Sequence, residues 1–160
     1  MKSALINGNY QQAEQHLSKV DATLAALIRQ VGPCQLKPKR RSPYEALVQA
    51  VVYQQLNGTA AATILGRVKS VFPGKRFPTP EDLLGTPDEV LRGAGLSRAK
   101  TAALKDIATK TISGVVPTTR RASRMTDPEI VEHLISVRGV GPWTVEMFLI
   151  FTLGRPDVLP

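Results

Sequence analysis

The sequence is short of cysteine, of long apolar runs and of acidic residues relative to basic ones, and each shortage excludes a class of protein. A single cysteine, Cys34, cannot build an internal disulfide framework or a cysteine-rich metal site, so a reducing intracellular compartment is the simplest interpretation. No apolar run is long enough to span a membrane, and the N-terminal residues turn polar too soon for a signal peptide. We therefore expect no membrane partner.

The shortage of acidic residues leaves the chain strongly basic. Its 160 residues include 13 Asp and Glu against 21 Lys and Arg, which gives a formal net charge of +8. A basic surface favours a polyanionic partner, and nucleic acid is the commonest one. The alternative is a basic protein that merely stays soluble, because the sum does not say where the charges lie.

A sustained alternation of apolar and polar residues, which marks a half-buried strand, is missing too, and Val115-Val116 is too short to count. Apolar residues instead recur at helical spacing between turns rich in proline and glycine, as at Leu104, Ile107 and Ile112. The pattern predicts an all-α protein of many helices with no significant β-sheet. The stretch from Gly114 to Asp127 is interpreted as a linker.

Several predicted helices begin with recognisable capping chemistry. Thr79 and Thr86 are each followed by a proline and two acidic residues, which suits the first turn of a helix. Asn57 and Ser97 are predicted caps of the helices that follow them.

The most informative segment is L-I-S-V-R-G-V-G-P-W-T-V-E-M-F, from Leu134 to Phe148. A helix is predicted to end near Val137, a glycine turn follows, and a second helix begins at Pro142 or Trp143. Because a helix N-terminus attracts anions, the amides of Gly139 to Gly141 are predicted to point outward toward a DNA phosphate. The alternative is an ordinary turn between two helices, with glycines for packing.

Two further features suit a base that has left the duplex. Trp143 is the sole tryptophan, and its indole would stack on a flat, cationic, alkylated base; a core tryptophan is the alternative. Gln54, Gln55 and Leu56 form a predicted loop that could fill the gap left by a flipped nucleotide, unless the loop is merely polar.

A third cluster, L-R-G-A-G-L-S-R-A-K, ends at Lys100. Arg98 and Lys100 fall in the first turn of a predicted helix, where the helix dipole disfavours cations. Such a position indicates an external anion such as a phosphate, although a solvated helix face explains it equally well.

Together these segments resemble the helix-hairpin-helix DNA glycosylase superfamily, and specifically its 3-methyladenine branch, from about Pro43 to Pro160. The matching strings are P-Y-E-A-L-V-x-A-V-V-x-Q-Q-L, L-R-G-A-G-L-S-R-A-K, L-I-S-V-R-G-V-G-P-W-T-V-E-M-F and G-R-P-D-V-L-P. The resemblance implies a multi-helix glycosylase fold with two helical lobes around a cleft. It divides the chain into N-terminal helices that pack on the second lobe (1–42), a central lobe (43–116) and the hairpin segment (117–160).

The same resemblance implies a base excision repair enzyme that flips alkylated purines such as 3-methyladenine out of double-stranded DNA and hydrolyses their glycosidic bonds. Trp143 stands where lyase-type relatives carry a lysine, so a monofunctional enzyme is expected. In the family the catalytic aspartate follows the position of Pro160, and Asp157 matches an earlier, non-catalytic aspartate. We therefore expect no catalytic residue and no glycosylase activity within the 160 residues.

Motifs and resemblance together assign residues to four tasks. The base pocket is assigned to Trp143, Met147 and Tyr53, and the DNA wedge loop to Gln54, Gln55 and Leu56. Contacts to the DNA backbone are assigned to Arg138, Gly139, Val140, Gly141, Thr144, Ser97 and Lys100. The resemblance also implies a structural sodium or potassium ion held by the backbone carbonyls of Ile135, Val137 and Val140; no other cofactor is expected.

Two other classes of protein stay open. A non-catalytic helix-hairpin-helix module would only grip the DNA backbone, and it would need neither a wedge nor a stacking pocket. A helical interaction domain would not bind DNA at all. The expected state is a monomer, in the cytoplasm or nucleoid of a bacterium or in the nucleus of a eukaryote. The range of alkylated bases is left open.

Overall fold

The computed structural model describes residues 10–160, and within that range ten α-helices follow one another without a strand. The all-α prediction is confirmed. The helices are α1 (Tyr10–Val20), α2 (Ala22–Val31), α3 (Pro43–Tyr53), α4 (Gly58–Ser70), α5 (Pro80–Gly85), α6 (Asp88–Gly93), α7 (Arg98–Ile112), α8 (Thr119–Ala122), α9 (Asp127–Ile135) and α10 (Pro142–Phe148). A π-helical segment, Leu149–Leu153, continues α10.

Local capping explains where most of these helices begin. The side chains of Asn57, Thr79 and Ser97 accept hydrogen bonds from backbone N–H groups in the first turns of α4, α5 and α7, as predicted. The prediction for Thr86 is wrong, because α6 begins after Pro87 without a side-chain cap. The Thr86 hydroxyl instead donates to the Asp82 carbonyl at 2.7 Å, within the last turn of α5.

Helix α7 lies at the centre of the fold, with α3, α5 and α6 packed against it. Leu104 and Ile107 of α7 are fully buried, and so are Leu47, Val48 and Val52 of α3. Burial of this aliphatic surface is the main force that holds the helices together. Helix α3 therefore sits between α7 on one side and α10 on another.

The hairpin segment shares this core. Helices α9 and α10 pack on each other, and α10 also packs on α3. The predicted linker from Gly114 to Asp127 is not loose, because it contains α8, whose Ala122 is fully buried. The Arg155 guanidinium donates to the carbonyls of Ala122 and Met125 at 3.5 and 2.7 Å, which fastens α8 to the end of the chain.

The N-terminal pair of helices is less deeply integrated. Helices α1 and α2 pack mainly on each other, and Ala25 is the buried residue that α2 contributes. The segment after α2 reaches the π-helical segment that continues α10, where the Lys39 amide donates to the Phe151 carbonyl at 2.7 Å. The division at residues 42 and 116 stays a prediction, and residues 1–9 of its first part lie outside the described range. No helix within residues 10–160 combines the length and the apolarity that crossing a bilayer requires.

We expect Leu104→Ala to lower the free energy of unfolding by about 2–5 kcal/mol, because it leaves a cavity in the centre of the core. Ile112→Ala is the matched control on the same helix, since that side chain is 55% exposed; its effect should stay within about 0.5 kcal/mol. Urea denaturation followed by circular dichroism measures both. Equal effects of the two substitutions would contradict the central position of α7.

Candidate nucleic-acid interface

The glycine turn between α9 and α10 has the predicted helix-hairpin-helix shape. Helix α9 ends at Ile135, the turn follows, and α10 begins at Pro142. The Val140 side chain is buried and belongs to the hydrophobic core. The C-terminal end of α9 and the N-terminal end of α10 therefore meet at one short turn.

The two glycines of the turn play different roles. Gly139 has φ of 78°, and a Cβ there would lie 3.1 Å from the Cβ of Ala103 on α7. Gly141 has φ of −99°, and a Cβ there would meet no atom within 4 Å. Gly139 is thus required by the backbone and by packing, whereas Gly141 leaves open space in front of the turn.

The amides of the turn are not equally available. The Arg138 amide donates to Oδ2 of Asp106 at 2.7 Å, and the Val140 amide donates to the Val137 carbonyl at 3.0 Å. The amides of Gly139 and Gly141 have no acceptor in the part of the chain that the structure describes. Of the three amides predicted to face a phosphate, two are therefore open and that of Val140 is used internally.

Trp143 follows this turn and its side chain is exposed, with 63% of its surface accessible. The indole is therefore not a core residue, and it lies two positions after the open amide of Gly141. A flat aromatic surface facing solvent is suited to stacking.

Tyr53 and Met147 come together in a cavity of about 190 Å³ between α3 and α10, which Thr144, the chain neighbour of Trp143, also lines. Trp143 is not part of this lining, so the three predicted base-pocket residues are split between a cavity and an exposed surface. Among residues 10–160, no carboxylate lines the cavity. Two cations, Lys39 and Arg41, do line it, and sequence reasoning did not find them.

Lys39 and Arg41 also connect this cavity to a larger groove of about 930 Å³. Lys37 and Arg40 line the groove as well, so its surface is strongly basic. Since none of these four cations forms an ion pair with a carboxylate of residues 10–160, the groove attracts anions.

The predicted wedge loop, Gln54–Leu56, lies against the hairpin. Nε2 of Gln54 donates to the Gly139 carbonyl at 2.8 Å and approaches Oγ1 of Thr144 at 3.5 Å. Gln55 adopts φ of 57°, which is uncommon for a residue other than glycine, and both Gln55 and Leu56 are exposed. The Gln54 side chain is thus held by hydrogen bonds to the hairpin, while Gln55 and Leu56 form the exposed tip of the loop.

Three residues predicted to touch the DNA backbone have partners or positions inside the protein. The Ser97 hydroxyl caps α7 by accepting from the Lys100 amide at 3.2 Å. The Lys100 ammonium donates to the carbonyls of Val52 and Gln54 at 2.7 and 2.8 Å. These two carbonyls, and not an external anion, explain a cation at a position that the helix dipole disfavours. Thr144 is buried. Arg138 remains exposed.

Of the three carbonyls assigned to a monovalent cation, two accept no hydrogen bond from the described residues. Within residues 10–160, the oxygens of Ile135 and Val140 accept no hydrogen bond, whereas that of Val137 accepts from the Val140 amide. An all-oxygen donor set suits a hard cation such as sodium or potassium. The donor chemistry of these residues therefore fits the ion.

Sequence reasoning missed the residues that brace the turn from α7. Asp106 holds the Arg138 amide, and Lys110 lies 3.0 Å from Asp106 and also donates to the Ser136 carbonyl. Burial raises the pKa of Asp106, but the Arg138 N–H and the Lys110 ammonium outweigh it, so the pKa lies below its usual range. An acidic and a basic residue four positions apart on a helix are commonplace, so no local signal marks them.

The sequence and the fold have counterparts among known proteins. Residues 48–160 match the model of the HhH-GPD superfamily base excision DNA repair proteins, and the chain belongs to this family. The relatives described next place it in the 3-methyladenine glycosylase branch.

DNA-3-methyladenine glycosylase 1 of Schizosaccharomyces pombe is 43% identical over 153 residues, which are 93% of this chain and 66% of that protein. The structure of the S. pombe 3-methyladenine DNA glycosylase with abasic DNA matches with a TM-score of 0.83 and 42% identity, over 93% of this chain and 73% of that one. A DNA-3-methyladenine glycosidase from Bacillus halodurans matches with a TM-score of 0.83 and 32% identity, over 96% of this chain and 69% of that one. The chain thus spans about two thirds of the length of these relatives.

Gly139→Ala should lower the free energy of unfolding by about 1–2 kcal/mol, because alanine is strained in the left-handed region and its Cβ would crowd Ala103. Gly141→Ala should leave stability within about 0.5 kcal/mol, since its φ is negative and its Cβ meets open space. Thermal and urea denaturation of the two variants test this pair. A destabilised Gly141→Ala variant would show that the space in front of the turn is not open.

Proposed function

We propose that this chain recognises alkylated bases in double-stranded DNA as the DNA-binding part of a monofunctional 3-methyladenine DNA glycosylase. One observation carries the proposal: the exposed indole belongs to Trp143, two positions after Gly141 and four after Gly139, whose amides are open in the described residues. The amides suit a phosphate and the indole suits a base, and a flipped nucleotide presents both groups together.

In this proposal the hairpin grips the backbone and the loop opens the stack. The amides of Gly139 and Gly141 donate to phosphate oxygens, which fixes the protein on the duplex without reading its sequence. A sodium or potassium ion held by the carbonyls of Ile135, Val137 and Val140 would add positive charge at the same point. Exposed Gln55 and Leu56 enter the base stack where the nucleotide has left.

The everted base stacks on Trp143, whose chain neighbour Thr144 lines the cavity that contains Tyr53 and Met147. A cationic alkylated purine attracts the electron-rich face of an indole more than a neutral base does. Lys39 and Arg41 would repel that cation unless phosphates neutralise them, so we propose that both contact the backbone of the damaged strand.

Hydrolysis of the glycosidic bond needs a carboxylate near the sugar, to stabilise its developing positive charge. No carboxylate of residues 10–160 lines the cavity that contains Tyr53 and Met147. Glu146 and Asp157 line a different cavity, of about 530 Å³, together with Asp127 and Val131. We therefore propose that these 160 residues bind and evert the damaged base without cleaving its bond.

Trp143→Ala should weaken binding to a duplex with one 7-methylguanine roughly tenfold or more, because base–aromatic stacking is worth about 1–3 kcal/mol. Affinity for the undamaged duplex should not change. Fluorescence anisotropy of labelled duplexes measures both, and Trp143→Phe, which keeps an aromatic ring, should lose less. Binding of the wild type should also quench the emission of the single tryptophan.

Each alternative class gives a different result in this assay. A non-catalytic backbone-gripping module would bind damaged and undamaged duplexes equally, with or without Trp143. A helical interaction domain would not bind DNA with the steep salt dependence that phosphate contacts produce. Release of 3-methyladenine from methylated DNA by the 160-residue chain would contradict the proposal that it does not cleave.

The remaining expectations are proposals as well. We propose a monomer, because one hairpin and one stacking residue suffice for a single lesion. We also propose that the protein acts where the DNA is, in the cytoplasm or nucleoid of a bacterium or in the nucleus of a eukaryote.

A further inference from the structure

One face of α7 contacts both of the elements to which DNA recognition is assigned. Lys100, Ala103, Asp106 and Lys110 recur every three or four residues, so they line one side of the helix. Lys100 reaches the wedge loop, and the other three reach the glycine turn. The helix between them is a rigid rod of known rise per residue.

At one end of this face, Lys100 caps α3. Its ammonium donates to the Val52 carbonyl at 2.7 Å and to the Gln54 carbonyl at 2.8 Å, at the point where α3 ends and the wedge loop begins. Burial lowers the pKa of Lys100, so the ammonium has given up water for these two carbonyls. Lost hydration is offset by hydrogen bonds that fix the start of the loop.

At the other end, Asp106 and Lys110 hold the turn by its backbone. Oδ2 of Asp106 accepts from the Arg138 amide at 2.7 Å, and the Lys110 ammonium donates to the Ser136 carbonyl. Between the two ends, Gly139 lies close enough to Ala103 that a Cβ would approach to 3.1 Å. The backbone of the turn is thus held on both sides of Val137.

A third contact closes the arrangement. Nε2 of Gln54 donates to the Gly139 carbonyl at 2.8 Å, which joins the wedge loop directly to the turn across 85 positions of sequence. Loop and turn are therefore each fixed to α7 and fixed to each other. None of these hydrogen bonds uses Gln55, Leu56, Trp143 or the amides of Gly139 and Gly141.

We propose that Lys100 and Asp106 are positioning residues, which hold the wedge loop and the phosphate-binding turn at one separation before DNA arrives. This inference rests on the proposed function. A loop ordered in advance loses less entropy when it binds, and a wedge set at a fixed distance from the phosphate grip enters the stack at the nucleotide that the grip holds. Neither residue needs to touch DNA for this role.

The first test needs no DNA. Hydrogen–deuterium exchange of the free protein should show the amides of residues 54–57 exchanging roughly tenfold faster in Lys100→Met, because two charge-assisted hydrogen bonds are lost. Lys105→Met is the matched control on the same helix, since Lys105 pairs with Asp88 and not with the loop. Unchanged exchange in Lys100→Met would overturn the positioning role.

The second test measures wedge insertion. A duplex with 2-aminopurine next to a 7-methylguanine gains fluorescence when the stack opens. At saturating protein, Lys100→Met should lose most of this gain, so the loss is independent of any change in affinity. Asp106→Asn should weaken the phosphate grip, so affinity for damaged and undamaged duplexes should fall and the salt dependence should become shallower. Lys105→Met should match the wild type in both measurements.

The two levels of inference fail in different ways. If the wild type gives no lesion-dependent fluorescence, the proposed function is wrong. If the wild type gives it and Lys100→Met gives it equally, the positioning role is wrong. Should Lys100→Met fail to fold, Lys100→Arg, which keeps a cation at that position, replaces it. In Lys100→Arg the loop amides should then exchange detectably faster than in the wild type, and the lesion-dependent fluorescence gain should be detectably smaller. Wild-type values in both measurements would overturn the positioning role.

Discussion

The left-handed backbone at Gly139, packed on Ala103 of α7, is the constraint on which the rest of the interface depends. It lets the chain reverse between α9 and α10 within a few residues and brings the turn against the central helix. The carbonyl of the same residue accepts from Gln54 at 2.8 Å, so the wedge loop is positioned by the same point. A side chain at this position would separate the elements that the site brings together.

Charge is divided between two uses in this protein. Lys100 and Lys110 direct their ammonium groups at backbone carbonyls and stabilise the ends of α3 and α9. Lys39 and Arg41 form no ion pair with a carboxylate of the described residues, and their side chains line the cavity and the groove instead. The net charge of +8 therefore overstates the cationic surface that DNA would meet, because part of it serves the fold.

Particular residues show how far sequence reasoning reached. The turn at Gly139, the start of α10 at Pro142 and the caps at Asn57 and Ser97 were all predictable, because each depends on a few neighbouring residues. Thr86 does not cap α6, because α6 begins after Pro87 and the Thr86 hydroxyl donates to the Asp82 carbonyl in the last turn of α5. Lys100 lies in the first turn of α7, where the helix dipole disfavours a cation, and this position predicted an anionic partner. The partner in the structure is the carbonyl end of α3.

The amino-acid sequence by itself determined the helical class and the hairpin, since periodicity, capping and glycine turns act over short stretches of chain. The repair family followed from the resemblance of its motifs. Only the tertiary structure decided which turn amides stay open, that the indole is exposed, and that one face of α7 supports both loop and turn. Those outcomes depend on contacts such as Gln54 with Gly139, whose partners lie 85 positions apart. Such partners are chosen by the packing of the whole core, which no local pattern records.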